Sequence, residues 1–259
     1  MNKFSGLFLC LIGLLVFGWL AVPAMAADRV AVFDQGHGQR FMIEGNEPLG
    51  LSTLAGTFLK QGLTPRVHNA QIAPESLREA SALVISGPFL PIGESELAAI
   101  NGFLVRGGRL CVMLHIANPV RPFLRSLGVA VTGTPIREQL NLVGDDPLEF
   151  RVTNLGAHPV TAGLPGFAVK GCWGLRNMNA VSHVLAWSSP RTWFDINGDG
   201  MQGPGEPSMP QGVLVGGDRG KGAFLVFGDD AIFQNRFLAG DNLKLARNLA
   251  VWLKGGGGK

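Results

Sequence analysis

Between residues 30 and 131, short apolar runs of strand length alternate with longer amphipathic stretches. Consecutive parallel strands need a crossover, and a helix is the usual one, so this alternation reads as a string of βαβ units. Parallel sheets are covered on both faces and their strands read as unbroken apolar runs. Val30-Ala31-Val32-Phe33, residues 82–85 and residues 110–114 have that texture. The expected fold class is therefore α/β, a doubly wound and mostly parallel sheet.

Leu49, Leu51, Leu54, Phe58 and Leu59 recur at helical spacing as far as Gly62, which stops the first crossover helix. Arg66-Val67-His68 is a weak second strand, Pro74 begins a short helix over 74–80, and the strand at 82–85 ends at Ser86-Gly87-Pro88. The next helix carries Glu94 and Glu96 in its first turn, then Leu97, Ile100, Phe103 and Leu104, and closes at Gly107-Gly108. Residues 120–127 make a further helix and 129–131 the strand after it. Beyond Gly133 the texture becomes irregular and partly antiparallel, an insertion over about 134–212 with a turn at Asp145-Asp146-Pro147 and a strand at 148–152. Regularity returns with a strand at 213–215, a turn over 216–220, a strand at 223–227 and a last helix at 241–253. The expectation is a single α/β domain over residues 27–254, with a loose tail over 255–259.

Lys3, the apolar run over residues 7–20 and the small residues Ala24 and Ala26 have the three parts of a secretory signal peptide, cleaved after residue 26. A retained anchor is the rival reading, but the run is short for a span of about 20 residues. The expectation is a periplasmic or secreted protein with no membrane span after cleavage. The formal charge of +3 is small and its basic residues are scattered, which argues against nucleic acid as a partner. Cys111 and Cys172 remain after cleavage, too few for a disulfide scaffold. They read as two buried thiols, with a mutual disulfide as the alternative.

The most specific local signal is the stretch 195–206, Asp-Ile-Asn-Gly-Asp-Gly-Met-Gln-Gly-Pro-Gly-Glu. Oxygen ligands fall at positions one, three and five (Asp195, Asn197, Asp199), glycine at six (Gly200) and glutamate at twelve (Glu206), the spacing of an EF-hand calcium loop. The Met201 carbonyl would supply position seven, so Ca2+ is the expected cofactor. Pro204, Gly205 and Pro207 forbid an exiting helix, which excludes paired EF-hands. An acidic, glycine-rich turn that binds nothing is the competing reading.

In open α/β sheets ligands bind beyond the carboxyl ends of the strands. The residues expected there are His37, Gln39 and Arg40 after the first strand, Ser86 and Gly87 after the third, His115 and Asn118 after the fourth, and Asp229 and Asp230 after the strand at 223–227. Asp34, His37, His115 and Glu44 also supply acid and base groups for an enzymatic reading. No third glycine and no lysine follow Gly36 and Gly38 in the register of a dinucleotide fingerprint or a P-loop.

Residues 34–41, Leu83-Val84-Ile85-Ser86-Gly87, Gly107-Gly108-Arg109-Leu110, Gly228-Asp229-Asp230 and Asn235-Arg236-Phe237 together resemble the exported bacterial domains of the DUF4350 family. The resemblance implies a fold of the class I glutamine amidotransferase-like type, shared with gliding-motility auxiliary proteins and an intraflagellar-transport domain. His158-Pro159-Val160-Thr161-Ala162-Gly163-Leu164 resembles a motif of trehalose-utilisation-type proteins of the same fold. In the amidotransferases a nucleophilic cysteine stands just after the strand that follows the glycine-ended helix. Here that place holds His115-Ile116-Ala117, and Cys111 lies too early, inside the strand. Thiol acyl transfer is therefore not expected.

The leading expectation is an exported, non-catalytic domain that binds a small molecule, a sugar or a protein of the cell envelope. The alternative is a hydrolase of carbohydrate or cell-envelope substrates with His37 or His115 as general base and Asp34 or Glu44 as its partner. A third is a structural subunit of an envelope transport complex.

Overall fold

A computed structural model describes residues 29–255. The expected signal peptide and most of the expected tail therefore lie outside the described residues.

The first half of the chain is built as the alternation requires. Strand β1 (Arg29–Asp34) leads to helix α1 (Ser52–Lys60), then β2 (Leu63–His68), β3 (Ala80–Ser86), α2 (Glu94–Val105), β4 (Arg109–Met113) and α3 (Arg121–Ser126). The remainder holds β5 (Val129–Arg137), β6 (Glu149–Val152), β7 (Asn154–Leu155), β8 (Phe167–Lys170), β9 (Trp173–Asn177), β10 (Ser182–Trp187), β11 (Trp193–Phe194), β12 (Gly212–Arg219), β13 (Gly222–Phe227) and α4 (Gly240–Leu253).

The large sheet runs β11-β5-β9-β12-β13-β4-β3-β1-β2, with β10 on β12 and β7 on β10, while β6 and β8 form a separate pair. Neighbouring strands from β13 to β2 are parallel. From β12 outward the pairing is antiparallel. The mixed α/β class with a largely parallel centre is thus as the apolar runs demand.

Because strand side chains alternate between faces, each strand feeds two cores. Ala31 and Phe33 of β1 and Cys111 and Met113 of β4 pack with Leu54 and Phe58 of α1 and Leu245 and Leu249 of α4. Val32, Leu110 and Val112 face the other way, onto Ile100 and Phe103 of α2 and Phe123 and Leu124 of α3. Cys111 and Cys172 are both free and buried. No helix among the described residues is long and apolar enough to cross a membrane.

Several local expectations needed correction. Residues 74–80 form no helix: Leu77 and Arg78 donate only to the carbonyls three residues back, and Ala80 already belongs to β3. So short a segment cannot repay helix nucleation without continuing. Leu49 and Leu59, expected to face the core, are 43% and 59% exposed, because α1 starts only at Ser52 and buries Leu54, Thr57 and Phe58. The strand expected at 129–131 runs on to Arg137, and the expected turn over 216–220 is mostly ladder. Gly216, Gly217, Asp218 and Arg219 all pair with β13. Pro65 lies inside β2, which is tolerated because β2 is an edge strand where a missing N–H costs little.

Candidate functional site

The ends of β1, β3, β4 and β13 deliver their following residues to one edge of the sheet. There the polar groups sort into two clusters of different character.

The first is a buried scaffold. Asp34 closes β1, and its carboxylate oxygens lie 2.9 and 2.8 Å from His37 Nδ1. On the other side of the ring, Nε2 lies 3.2 Å from Glu96 Oε2 and 3.1 Å from Oε1. Gln39 donates to Asp34 Oδ2 at 2.5 Å and accepts the His37 amide at 2.8 Å. Glu96 also takes the amides of Ile72 (2.7 Å) and Gly93 (2.9 Å), which caps α2 and ties it to the first loop. His37 is 4% exposed and both its ring nitrogens are used. Burial alone would lower its pKa, but the hydrogen bonds and charges of Asp34 and Glu96 overcome that and raise it to about 9. For Glu96 burial works upward, and the amides of Gly93 and Ile72 together with His37 pull its pKa below the ordinary value. His37 is thus an imidazolium clamped between two carboxylates, a structural pin.

The second cluster faces solvent. His115 follows β4, its side chain 39% exposed, and its Nδ1 lies 3.1 Å from Asp230 Oδ1. Among the described residues no hydrogen-bond partner meets His115 Nε2. The Asp230 hydrogen bond raises the His115 pKa, against the lowering effect of burial and of Arg40. Asp229 and Asp230 are both buried, and burial pushes both carboxyl groups up, Asp229 further because of its neighbour's charge. Asp229 accepts the amides of Lys170 (2.5 Å) and Ala231 (2.8 Å), so its role is to fold the loop. Asp230 Oδ2 and Ser86 Oγ are buried and meet no hydrogen-bond partner among the described residues. Gly87 has φ +55, and a Cβ there would stand 2.6 Å from Asp230 Oδ2 and 3.3 Å from His115 Cβ, so only glycine lets these strand ends approach.

Aromatic rings frame this cluster. Phe41 meets His115 edge-on at 4.9 Å, Phe89 lies 5.5 Å from the same ring, and the Arg40 guanidinium covers Phe89 at 4.6 Å. Trp173 Nε1 donates to the His115 carbonyl at 3.0 Å.

Of the residues expected at this edge, His115, Asp230, Gly87 and Arg40 converge, while Ser86 ends β3 with its hydroxyl buried. His37, Gln39 and Asp34 form the pin behind them, and His115 takes Asp230 as its acid in place of Asp34 or Glu44. Glu44 is exposed and accepts from Gln35 at 3.2 Å, while Asn118 accepts Arg121 Nε at 3.0 Å. Glu96, Phe41, Phe89 and Trp173 were not foreseen as site residues. For Glu96 a signal existed: its place three residues after Gly93 has the spacing of a capping box.

The 195–206 loop is organised by its own backbone. Asp195 accepts the amides of Gly198 (2.7 Å) and Gly200 (3.0 Å), Asn197 that of Asp199 (3.1 Å), and Asp199 that of Met201 (2.8 Å). Glu206 takes Ile196 N at 2.6 Å and Gly203 N at 2.8 Å, so positions one and twelve are drawn together. Arg137 of β5 lies 3.0 Å from Asp195 Oδ2. Among the described residues no group of three or more His, Cys, Asp or Glu side chains is arranged to hold a metal ion. In this arrangement Arg137 supplies a positive charge beside Asp195.

No protein-family model matches the chain, and no curated protein matches it in sequence. Solved structures do match in fold. The N-terminal domain of mmIFT52 superposes with a TM-score of 0.69 at 16% identity, covering 86% of this chain and 97% of that one. A ThuA-like protein from Bacteroides uniformis ATCC 8492 gives 0.55 at 17% identity, over 91% and 95% of the two chains. The cytoplasmic protein STM1381 from Salmonella typhimurium LT2 gives 0.56 at 16% identity, over 87% and 99%. The chain has the flavodoxin-like, glutamine amidotransferase-like fold, consistent with these neighbours; at such identities the likeness speaks of fold alone.

Proposed function

We propose that the protein is an exported, non-catalytic binding domain whose ligand, a small hydroxylated molecule such as a sugar, sits on the His115 edge of the parallel strands. The observation that carries this is the partly exposed His115 ring, whose Nε2 meets no hydrogen-bond partner among the described residues, framed by Phe41, Phe89 and Arg40. Phe41 and Phe89 offer apolar faces for a sugar ring, and Arg40 and His115 offer donors. Export rests on the signal-peptide pattern of residues 1–26, and assignment to the DUF4350 domains rests on the motif residues quoted above. The test is a glycan array followed by calorimetry on the mature protein. A sugar whose affinity falls about tenfold or more in His115→Ala, but holds in Glu44→Gln, supports the reading. Saturable binding insensitive to His115→Ala would sink it.

A hydrolase is the second reading, favoured by one observation. Asp230 holds His115 Nδ1 while Nε2 meets no hydrogen-bond partner among the described residues, the orientation of a general base acting on water. Turnover of nitrophenyl glycosides or acetylated glycans, abolished in His115→Ala, would establish it over the binding reading.

Calcium is also proposed at the 195–206 loop, in a narrower form: the ion displaces Arg137 from Asp195. Calcium should then raise the melting temperature of Arg137→Gln more than that of the parent, and have no effect on Glu206→Gln. No shift in Arg137→Gln would end the proposal.

A further inference from the structure

A cavity lies at the opposite end of the sheet from β2. Strand β5 pairs with β9 through Val129, Ala130, Val131 and Pro135, and with β11 only through Ile136 and Arg137. Residues Thr132, Gly133 and Thr134 fall in the register shift and belong to neither ladder. This break opens a cavity of about 550 Å³ bounded by Ala130, Val131, Gly133, Phe194, Ile196 and Arg176. Its size lies within the range of small-molecule sites, roughly 300–1,000 Å³. A Cβ on Gly133 would meet nothing within 4 Å, so the space beside the break is open.

The walls are largely apolar, with Thr132 and Thr134 of the break also lining them, and the charge is of one sign. Ile196, on the 195–206 loop, is 69% exposed, and Phe194 is half-buried. Arg176 makes only long contacts, 3.4 Å to Gln211 Oε1 and 3.4 Å to Met209 Sδ, and is in no ion pair among the described residues. Arg121 donates to the carbonyls of Val131 and Thr132 and likewise has no carboxylate partner there. The nearby carboxylate of Asp195 is answered by Arg137. An apolar hollow with an uncompensated guanidinium at its wall selects a molecule with an apolar body and one anionic head.

We propose that this cavity is a binding site for a small amphipathic anion, such as a medium-chain carboxylate, with its head on Arg176 and its tail against Val131, Phe194 and Ile196. None of these residues belongs to the His115 edge, so the two sites stand or fall separately.

The test is calorimetric titration of the mature protein with decanoate, and with decanol as the neutral counterpart. Decanoate should bind at one site per chain, about tenfold or more weaker in Arg176→Gln and undetectably in Ile196→Asp, while His115→Ala leaves it unchanged. Ile196 is exposed, so its substitution spares the fold, which circular dichroism and thermal melting verify. Equal affinity for decanol and decanoate, or decanoate binding untouched by both variants, would overturn the proposal. So would the absence of decanoate binding; a concentration-dependent dimer in sedimentation that Ile196→Asp dissolves would then identify a second copy as the occupant.

Discussion

Glu96→Ala should lower stability by about 3–5 kcal/mol, read as a fall in the urea midpoint at unchanged slope, because it leaves a buried imidazolium with one counter-charge missing. It also frees the amides of Ile72 and Gly93, which Glu96 accepts at 2.7 and 2.9 Å. Glu96→Gln keeps an acceptor and should lose less. The pH dependence follows from the folded pKa of His37, about 9 against an unfolded value near 6.5. A folded pKa raised above the unfolded one gives stability that is full below about pH 6.5 and lost as pH rises through about 9. The lowered pKa of Glu96 acts at the other end: its contribution is present above the unfolded value and lost as pH falls through the folded one. Asp229, with its raised pKa, adds a decline of its own with rising pH. The decisive comparison is therefore the parent against His37→Gln: the difference in stability should shrink between pH 6.5 and 9. A difference independent of pH would show that His37 is not held as a cation.

Phe227→Ala should cost about 3–5 kcal/mol as well, by a different route. Phe227 ends β13, is 1% exposed and packs edge-on against Phe233 at 5.0 Å. Its carbonyl takes the Leu114 amide, and the Asp229-Asp230 loop begins two residues later. The same substitution should therefore weaken any ligand held by His115. Phe58→Ala, which opens the packing of Phe58 on Phe33 at 5.5 Å, should destabilise comparably and leave ligand affinity alone. Equal effects of both on affinity would mean that stability, not loop support, governs the site.

The parallel half was legible because local pattern and tertiary role agree there: apolar runs became β1, β3, β4 and β13. The antiparallel half was not. Strand β5 was expected to end at Val131, yet beyond the unpaired Thr132, Gly133 and Thr134 the partners of Pro135, Ile136 and Arg137 carry it on. The strand-end residues were found by a topological rule, but the rule does not say which way a side chain turns. His37 and His115 looked alike in sequence, and only the position of Glu96, 59 residues along from His37, makes one a pin. The 195–206 loop was recognisable from its oxygen spacing, while Arg137, its cationic neighbour, comes from a distant strand and leaves no local sign.

Strand β13 is parallel to β4 on one side and antiparallel to β12 on the other, and every residue in it is buried. It is the last strand in chain order among the described residues. A chain emerging amino end first holds β4 as an unpaired apolar edge until residues 222–227 appear, which favours slow closure and invites wrong strands in the meantime. Truncation before β13 therefore does not yield a smaller version of this protein but a sheet without its middle.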